Sequence, residues 1–267
     1  MLGKLTVIGV GPGDPELLTI KAFNALKRIK ALCVPKGREE GSSLALSIVQ
    51  KMVNLDDKEI IEAYFPMRKT KNRAEVQKSR SAEEKNLLNV TTELPHYGTS
   101  ALVSDYDLDA KWNETAETIM SRLREGDDVA FITLGDPTIY STFYYLYDKL
   151  IGLQPGLDVE IIPGVSSITA SAARAKLALG LGDDKIAILP ANYMNDLKAA
   201  LETFDTVVLM KVHKVFDQIV KLLDEMKLTG KAAYVCRAGM DKEKIFRNLK
   251  QVKQEDLNYF SMVIVRK

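Results

Sequence analysis

The sequence predicts an α/β protein with a mostly parallel sheet in its N-terminal part and a mixed sheet toward its end. Three observations carry this. Short β-branched runs alternate with amphipathic helical text, the pattern of strands joined by crossover helices. Three of the strand-like runs end in small or kinked turns, Gly11-Pro12-Gly13, Gly135-Asp136-Pro137 and Pro163-Gly164-Val165-Ser166-Ser167. The closing text, Ile245 to Leu249 and Asn258 to Arg266, reads as strands with no helix between them, which suits a mixed sheet.

The elements follow in order. Leu5 to Val10 is a compact apolar strand, and Gly11 to Leu18 a tight turn into a helix with apolar positions at Leu18, Ala22, Leu26 and Ile29. Asp14 suits an N-cap and Pro15 a first helical residue, because the missing proline N–H has no intrahelical partner there. Ala31 to Pro35 is a strand, Ser42 to Val53 a helix and Glu59 to Phe65 a strand. The rhythm breaks over about 70–110, a charged insertion. From Arg68 to Lys85 it carries seven basic and three acidic residues, either a solvated face or a lid that meets an acidic ligand. Regular text resumes with a helix from Trp112 to Arg124, a strand from Val129 to Leu134 and a helix running to about Leu150. A strand Val159 to Ile162 and an Ala-rich helix to Lys176 complete the first domain, residues 1–180. Gly180 to Asp184 is the expected seam with the second domain, residues 181–267. Beyond it come strand Lys185 to Leu189, helix Asn195 to Leu201, strand Thr206 to Met210, helix Val215 to Met226 and strand Ala232 to Cys236.

Composition narrows the function. Lys+Arg 37 against Asp+Glu 36 gives a net charge of +1, so no whole-molecule field gathers nucleic acid or an anionic membrane. No uninterrupted apolar run approaches the ~18 residues of a membrane helix, and the first apolar run is too short for a signal core, so a cytoplasmic location is expected. Cys33 and Cys236 lie in apolar text and read as buried free thiols.

The first glycine turn fails the dinucleotide fingerprint on spacing, since Gly13 comes one position early and Asp14 stands where the last glycine belongs. Such turns shape a binding floor, where backbone groups are read closely by a flat ligand. His96 and His213 are far apart with no Cys/His/Asp cluster, so no metal site is expected, and Ser166-Ser167 lack a nucleophile elbow. His213, just ahead of a helix, reads as a surface or capping residue.

Taken together, the text Val7 to Thr19, Gly135-Asp136-Pro137-Thr138-Ile139-Tyr140-Ser141-Thr142 and Pro163-Gly164-Val165-Ser166-Ser167 resembles the tetrapyrrole methylase family of S-adenosylmethionine-dependent methyltransferases. The likeness covers nearly the whole chain outside Arg73 to Asp105. Phe65-Pro66-Met67, Ala130 to Pro137 and Tyr259-Phe260-Ser261-Met262-Val263-Ile264-Val265 are most similar to its branch that methylates carbon 20 of precorrin-2 or cobalt-factor II in cobalamin biosynthesis. The resemblance implies the class III fold of two α/β domains, with S-adenosyl-L-methionine in the cleft between them and S-adenosyl-L-homocysteine as product. It also implies a homodimer, a small-molecule tetrapyrrole substrate, and neither nucleic-acid nor membrane partners.

Residue by residue, the implied cofactor positions are Pro12; Leu134, Gly135, Asp136 and Ile139; Ser166 and Ser167; Met210; and Ala238. On spacing alone Met210 is strand core. Carbon 20 of a reduced tetrapyrrole is enamine-like and attacks an activated methyl with little help, so catalysis is chiefly orientation. A carboxylate assists by steadying the cationic adduct and taking its proton, and Asp136 is the first candidate, with capping of a helix starting near Thr138 as its other role. Lys211 is expected to meet a substrate carboxylate or tune a proton transfer, with a solvated lysine as the alternative, and Tyr140 is the third candidate. Arg174 and Arg237 are further forks for carboxylates. The same scaffold also serves uroporphyrinogen-III, diphthine and ribosomal RNA methylation, and a noncatalytic nucleotide- or tetrapyrrole-binding module is the reading from another class.

Overall fold

A computed structural model describes residues 1–37, 43–64, 106–191 and 197–267. The expected lid from Arg68 to Lys85 and the Phe65-Pro66-Met67 text lie outside the described residues. The chain forms two compact units. Met1–Gly11 with Pro15–Gly164 make the first, and Pro12–Asp14 with Val165–Lys267 make the second.

The first unit holds a sheet of five parallel strands in the order β3-β2-β4-β1-β5. These are β1 (Leu5–Gly9), β2 (Ala31–Lys36), β3 (Glu59–Tyr64), β4 (Val129–Thr133) and β5 (Val159–Ile162). Helices α1 (Ile20–Arg28), α2 (Leu44–Gln50), α3 (Tyr106–Arg124) and α4 (Phe143–Leu153) accompany them. Successive strand residues point to opposite faces, and both faces are covered. Leu5, Val7 and Phe131 pack with Trp112, Ile119 and Leu123 of α3 and Phe143 and Leu146 of α4. Ile8, Leu32 and Ile132 pack with Ala22 and Leu26 of α1 and Ile48 and Val49 of α2. The central strands therefore read as continuous apolar runs.

The second unit holds a mixed sheet in the order β6-β7-β10-β8-β9. It comprises β6 (Ile186–Pro190), β7 (Thr206–Met210), β8 (Ala232–Cys236), β9 (Lys244–Phe246) and β10 (Ser261–Arg266). Only the β6 and β7 pair is parallel; β10 runs antiparallel between β7 and β8, and β9 antiparallel to β8. Helices α5 (Ser167–Arg174), α6 (Leu197–Thr203) and α7 (Phe216–Glu225) belong here. On α7, Phe216, Ile219 and Leu223 recur at helical spacing and pack with Val207, Leu209, Tyr234 and Val263. Cys33 and Cys236 are buried free thiols, and burial pushes both above the ordinary thiol range.

Several expected boundaries shift. Pro15–Leu17 is a single 3-10 turn and the first helix starts at Ile20, capped by Thr19, whose Oγ1 accepts the Ala22 N–H at 3.1 Å. A hydroxyl three residues before a free amide out-competes the Asp14-Pro15 signal. The helix expected near Thr138 starts at Phe143, because residues 137–142 are taken up in turns. Of the tail text only Lys244–Phe246 and Ser261–Arg266 are strands. The units divide after Gly164, ahead of the seam expected at Gly180. α5 is tied to the second unit: Arg174 Nε donates to both carboxylate oxygens of Glu243 at 2.7 and 2.9 Å, and Arg247 donates to the Ala175 carbonyl.

Candidate active site

In the first unit the carboxyl ends of β1, β4 and β5 come together through glycine. Gly9 and Thr133 are in register, and beyond them Gly11 N–H donates to Gly135 O at 3.3 Å while Gly135 N–H donates to Gly11 O at 2.8 Å. Both glycines have positive φ, 80° and 73°. A Cβ on Gly9 would sit 2.6 Å from Gly164 N and 2.7 Å from Gly135 O, so three backbones touch where a side chain would separate them. The turns form a floor. They also engage the Gly11 and Gly135 amide groups with one another rather than leaving them to a ligand.

Asp136 binds that floor together. Its Oδ2 accepts the Gly164 N–H at 3.0 Å, and its Oδ1 accepts the Thr138 N–H at 2.8 Å and the Thr138 hydroxyl. Both oxygens are thus engaged, one across to the turn after β5. The residue does not cap a helix. Leu134 and Ile139 are half-buried on either side of it, and Leu134 packs on the core shared by β1, β2 and β4. Tyr140 is half exposed and left-handed at φ 54°, and partial desolvation raises its phenol above the ordinary tyrosine range; like any tyrosine it carries its proton at neutral pH. A bulky residue with positive φ marks a site where geometry is imposed.

In the second unit Pro12, Gly13 and Asp14 press on the loop that follows β8. A Cβ on Gly239 would lie 3.3 Å from Asp14 N and 3.8 Å from Pro12 Cγ, and one on Gly13 would lie 2.9 Å from Gly239 O. Pro12, an implied cofactor position, therefore stands beside Gly239, the residue that follows the implied position Ala238, and both Pro12 and Ala238 are buried. The loop is fixed by a residue that local text does not single out. Glu243 accepts the Gly239 N–H at 2.7 Å and carries the paired bonds from Arg174, which is thereby engaged inside the protein.

Met210, half-buried, closes β7, and its carbonyl accepts the Ala191 N–H at 2.8 Å. Lys211 follows in left-handed conformation, φ 59° and ψ 36°, as does Arg237 after β8 at φ 56°. Lys176 and Lys227 share that conformation for an ordinary reason, since each terminates a helix with paired backbone bonds. Lys211 and Arg237 instead sit at the carboxyl ends of β7 and β8, the two strands that flank β10 in one sheet. Ser166 spends its hydroxyl capping α5, accepting the Thr169 N–H at 3.2 Å, and Ser167 is the first residue of that helix. His213 is neither a cap nor a plain surface residue: its Nδ1 is buried with no hydrogen-bond partner, and burial, aided by Lys214, lowers its pKa.

Within the first unit Leu134 and Ile139 are half-buried beside backbone brought close by glycine, and within the second Pro12 and Ala238 are buried and Met210 half-buried, so each unit offers apolar side chains with main-chain edges, the chemistry an apolar nucleoside needs.

Residues 4–252 match the sequence profile of the Tetrapyrrole (Corrin/Porphyrin) Methylases. The chain is 33% identical over 269 residues to the cobalt-precorrin-2 C(20)-methyltransferase of Salmonella typhimurium, covering 100% of this chain and 98% of the relative. A solved cobalt precorrin-4 methyltransferase superposes with a TM-score of 0.65 at 20% identity, covering 98% of this chain and 94% of its own. The uroporphyrin-III C-methyltransferase of Thermus thermophilus, solved with S-adenosylhomocysteine, gives 0.58 at 20% identity, covering 99% and 92%. At such identities these two structures speak for the fold alone.

Proposed function

The chain belongs to the tetrapyrrole methylases, a family of S-adenosylmethionine-dependent methyltransferases, and we propose that it methylates carbon 20 of precorrin-2 or its cobalt-bound counterpart in cobalamin biosynthesis. The observation that carries the choice of substrate is the end-to-end likeness to a relative named for that reaction, 33% identical with 98% of its length covered. Uroporphyrinogen-III methylation, the second reading, is favoured only by likeness of fold.

When bound, S-adenosylmethionine supplies an electrophilic methyl on a sulfonium sulfur. Pro12, Ala238 and Met210 of the second unit, and Leu134, Gly135 and Ile139 of the first, are the residues proposed to hold it, with Ser166 and Ser167 contributing at the start of α5. Asp136 is a positioning residue in this account: its two oxygens already accept three hydrogen bonds from the protein, and these fix the floor on which Leu134 and Ile139 stand. Lys211 meets a substrate carboxylate, and the Tyr140 hydroxyl donates a hydrogen bond to another. Rate enhancement comes mainly from holding two reactants in line, which is worth on the order of 7–11 kcal/mol. We further propose that the enzyme acts as a homodimer, which light scattering after gel filtration checks directly.

The test of substrate is competition. Purified protein with labelled S-adenosylmethionine is offered precorrin-2, cobalt-factor II and uroporphyrinogen III anaerobically. Preferential labelling of either of the first two is expected. Preference for uroporphyrinogen III would move the chain to the other branch of the family.

A further inference from the structure

The text Tyr259-Phe260 stands apart from every role assigned so far. Both rings are exposed, by 43% and 37%, yet the turn that carries them is held firmly. Asn258 Oδ1 accepts the Phe260 N–H at 2.9 Å, the Ser261 hydroxyl donates to Asn258 O at 2.5 Å, and Phe260 O accepts the Arg237 N–H at 2.7 Å. Two aromatic side chains presented to solvent from a pinned turn are a ready binding surface, because little conformational freedom is lost when a ligand covers them.

The sheet register sets what stands beside them. β10 begins immediately after the turn, and its Met262 pairs with Met210, so the turn lies at the carboxyl end of β7, next to Lys211 and the short 3-10 segment Val212–Lys214. His213 of that segment meets the Tyr259 ring edge to face at 5.8 Å, and Tyr259 meets Phe260 in the same manner at 5.3 Å. Of the two imidazole nitrogens only Nδ1 is buried without a partner. A proton there would have no acceptor, so the neutral ring carries its proton on Nε2, the nitrogen that keeps access to solvent. The same edge carries three cations, Lys211, Lys214 and Arg237.

We propose that Tyr259, Phe260 and His213 form the ledge that receives the macrocycle of the acidic tetrapyrrole substrate. The two aromatic rings cover its apolar face, the His213 Nε2–H donates to one of its carboxylates, and Lys211, Lys214 and Arg237 meet others. The inference rests on the carbon-20 reading for its substrate and extends it to residues outside the cofactor positions. Its support is charge complementarity and the continuity of this edge with Met210 and Ala238.

Tyr259→Ala and His213→Gln test it, together with Lys253→Ala as a control, a residue on another turn of the same unit. Substrate KM for cobalt-factor II and precorrin-2 is measured beside the S-adenosylhomocysteine Kd by calorimetry. Tyr259→Ala is expected to raise the tetrapyrrole KM at least tenfold and His213→Gln about fivefold, with S-adenosylhomocysteine Kd within twofold of wild type and the control unchanged in both. A tetrapyrrole KM that stays within twofold in both variants, with wild type active, overturns the ledge and leaves the carbon-20 reading standing. If wild type methylates neither substrate, that reading falls, and the ledge is decided by absorbance titration with uroporphyrin III. Binding by wild type that Tyr259→Ala weakens supports it, and equal binding or none overturns it.

Discussion

Replacing Asp136 with Asn separates a strut from a base. In the native protein Oδ1 and Oδ2 together accept three hydrogen bonds, from Thr138 N–H, the Thr138 hydroxyl and Gly164 N–H. Asparagine keeps one acceptor oxygen and sets an NH2 group against whichever partner the other oxygen served. A hydrogen bond to a charged acceptor contributes about 1.5–3 kcal/mol, and the half-buried position of Asp136 favours the lower end. A loss of about 1.5 kcal/mol corresponds to a fall in Tm of about 3–6 °C for a protein of this size. Passed fully to ligand binding, it is about a tenfold rise in Kd. Differential scanning calorimetry should therefore show that lower Tm, titration with S-adenosylhomocysteine a roughly tenfold weaker Kd, and kcat at saturation should stay within about fivefold. Removal of a true proton acceptor costs about 10²–10⁴ in rate. A kcat collapse of that order with Tm and Kd unchanged would refute the strut and make Asp136 the base. Thr138→Ala, which deletes only the hydroxyl donor, should show a smaller shift of the same pattern.

Glu243→Ala, which frees the Gly239 loop from Arg174, should weaken S-adenosylhomocysteine binding about tenfold, with Glu243→Gln recovering part of the loss because one acceptor remains. Equal affinity in all three proteins by calorimetry would remove Glu243 from the positioning of Ala238. Gly9→Ala forces a Cβ against Gly164 N and Gly135 O, and overpacking of this kind costs about 1–3 kcal/mol, so a melt several degrees lower is expected. An unchanged melt would mean the three turns are not in contact. Burial lowers the pKa of His213, so below about pH 6.5 the unfolded chain takes up a proton that the folded chain resists. Urea midpoints should therefore fall as pH drops through that value and rise to a plateau above it. His213→Gln should flatten this part of the profile, and an identical profile in the variant would contradict the buried neutral ring.

The sheet and its turns were open to reading because their signals are local. β1 and β4 are buried on both faces and so are written as unbroken apolar runs, and the glycines at 9, 11 and 135 stand where backbones touch. The start of the first helix misled because Asp14-Pro15 obeys the local capping rule, while Pro12–Asp14 are held against the loop at Gly239 by contacts distant in sequence. The same holds for α5, whose Ala-rich text carries no mark of the unit it joins; Arg174 and Glu243 decide it across 69 positions of chain. Asp136 was legible as a candidate residue, but its bond to Gly164 is one that periodicity cannot bring to it. Tyr259 was visible only as text characteristic of a family branch. Its pairing with His213 comes from the antiparallel register of β10 on β7, a long-range feature that residue spacing does not encode.

The central claim is the site of methylation. Carbon-13-methyl S-adenosylmethionine incubated anaerobically with the protein and cobalt-factor II or precorrin-2 should give a product one methyl heavier, with a single enriched carbon bonded to the meso position between rings A and D in the NMR spectrum. An enriched methyl on any other carbon, or none on either substrate while uroporphyrinogen III is methylated, would contradict the account.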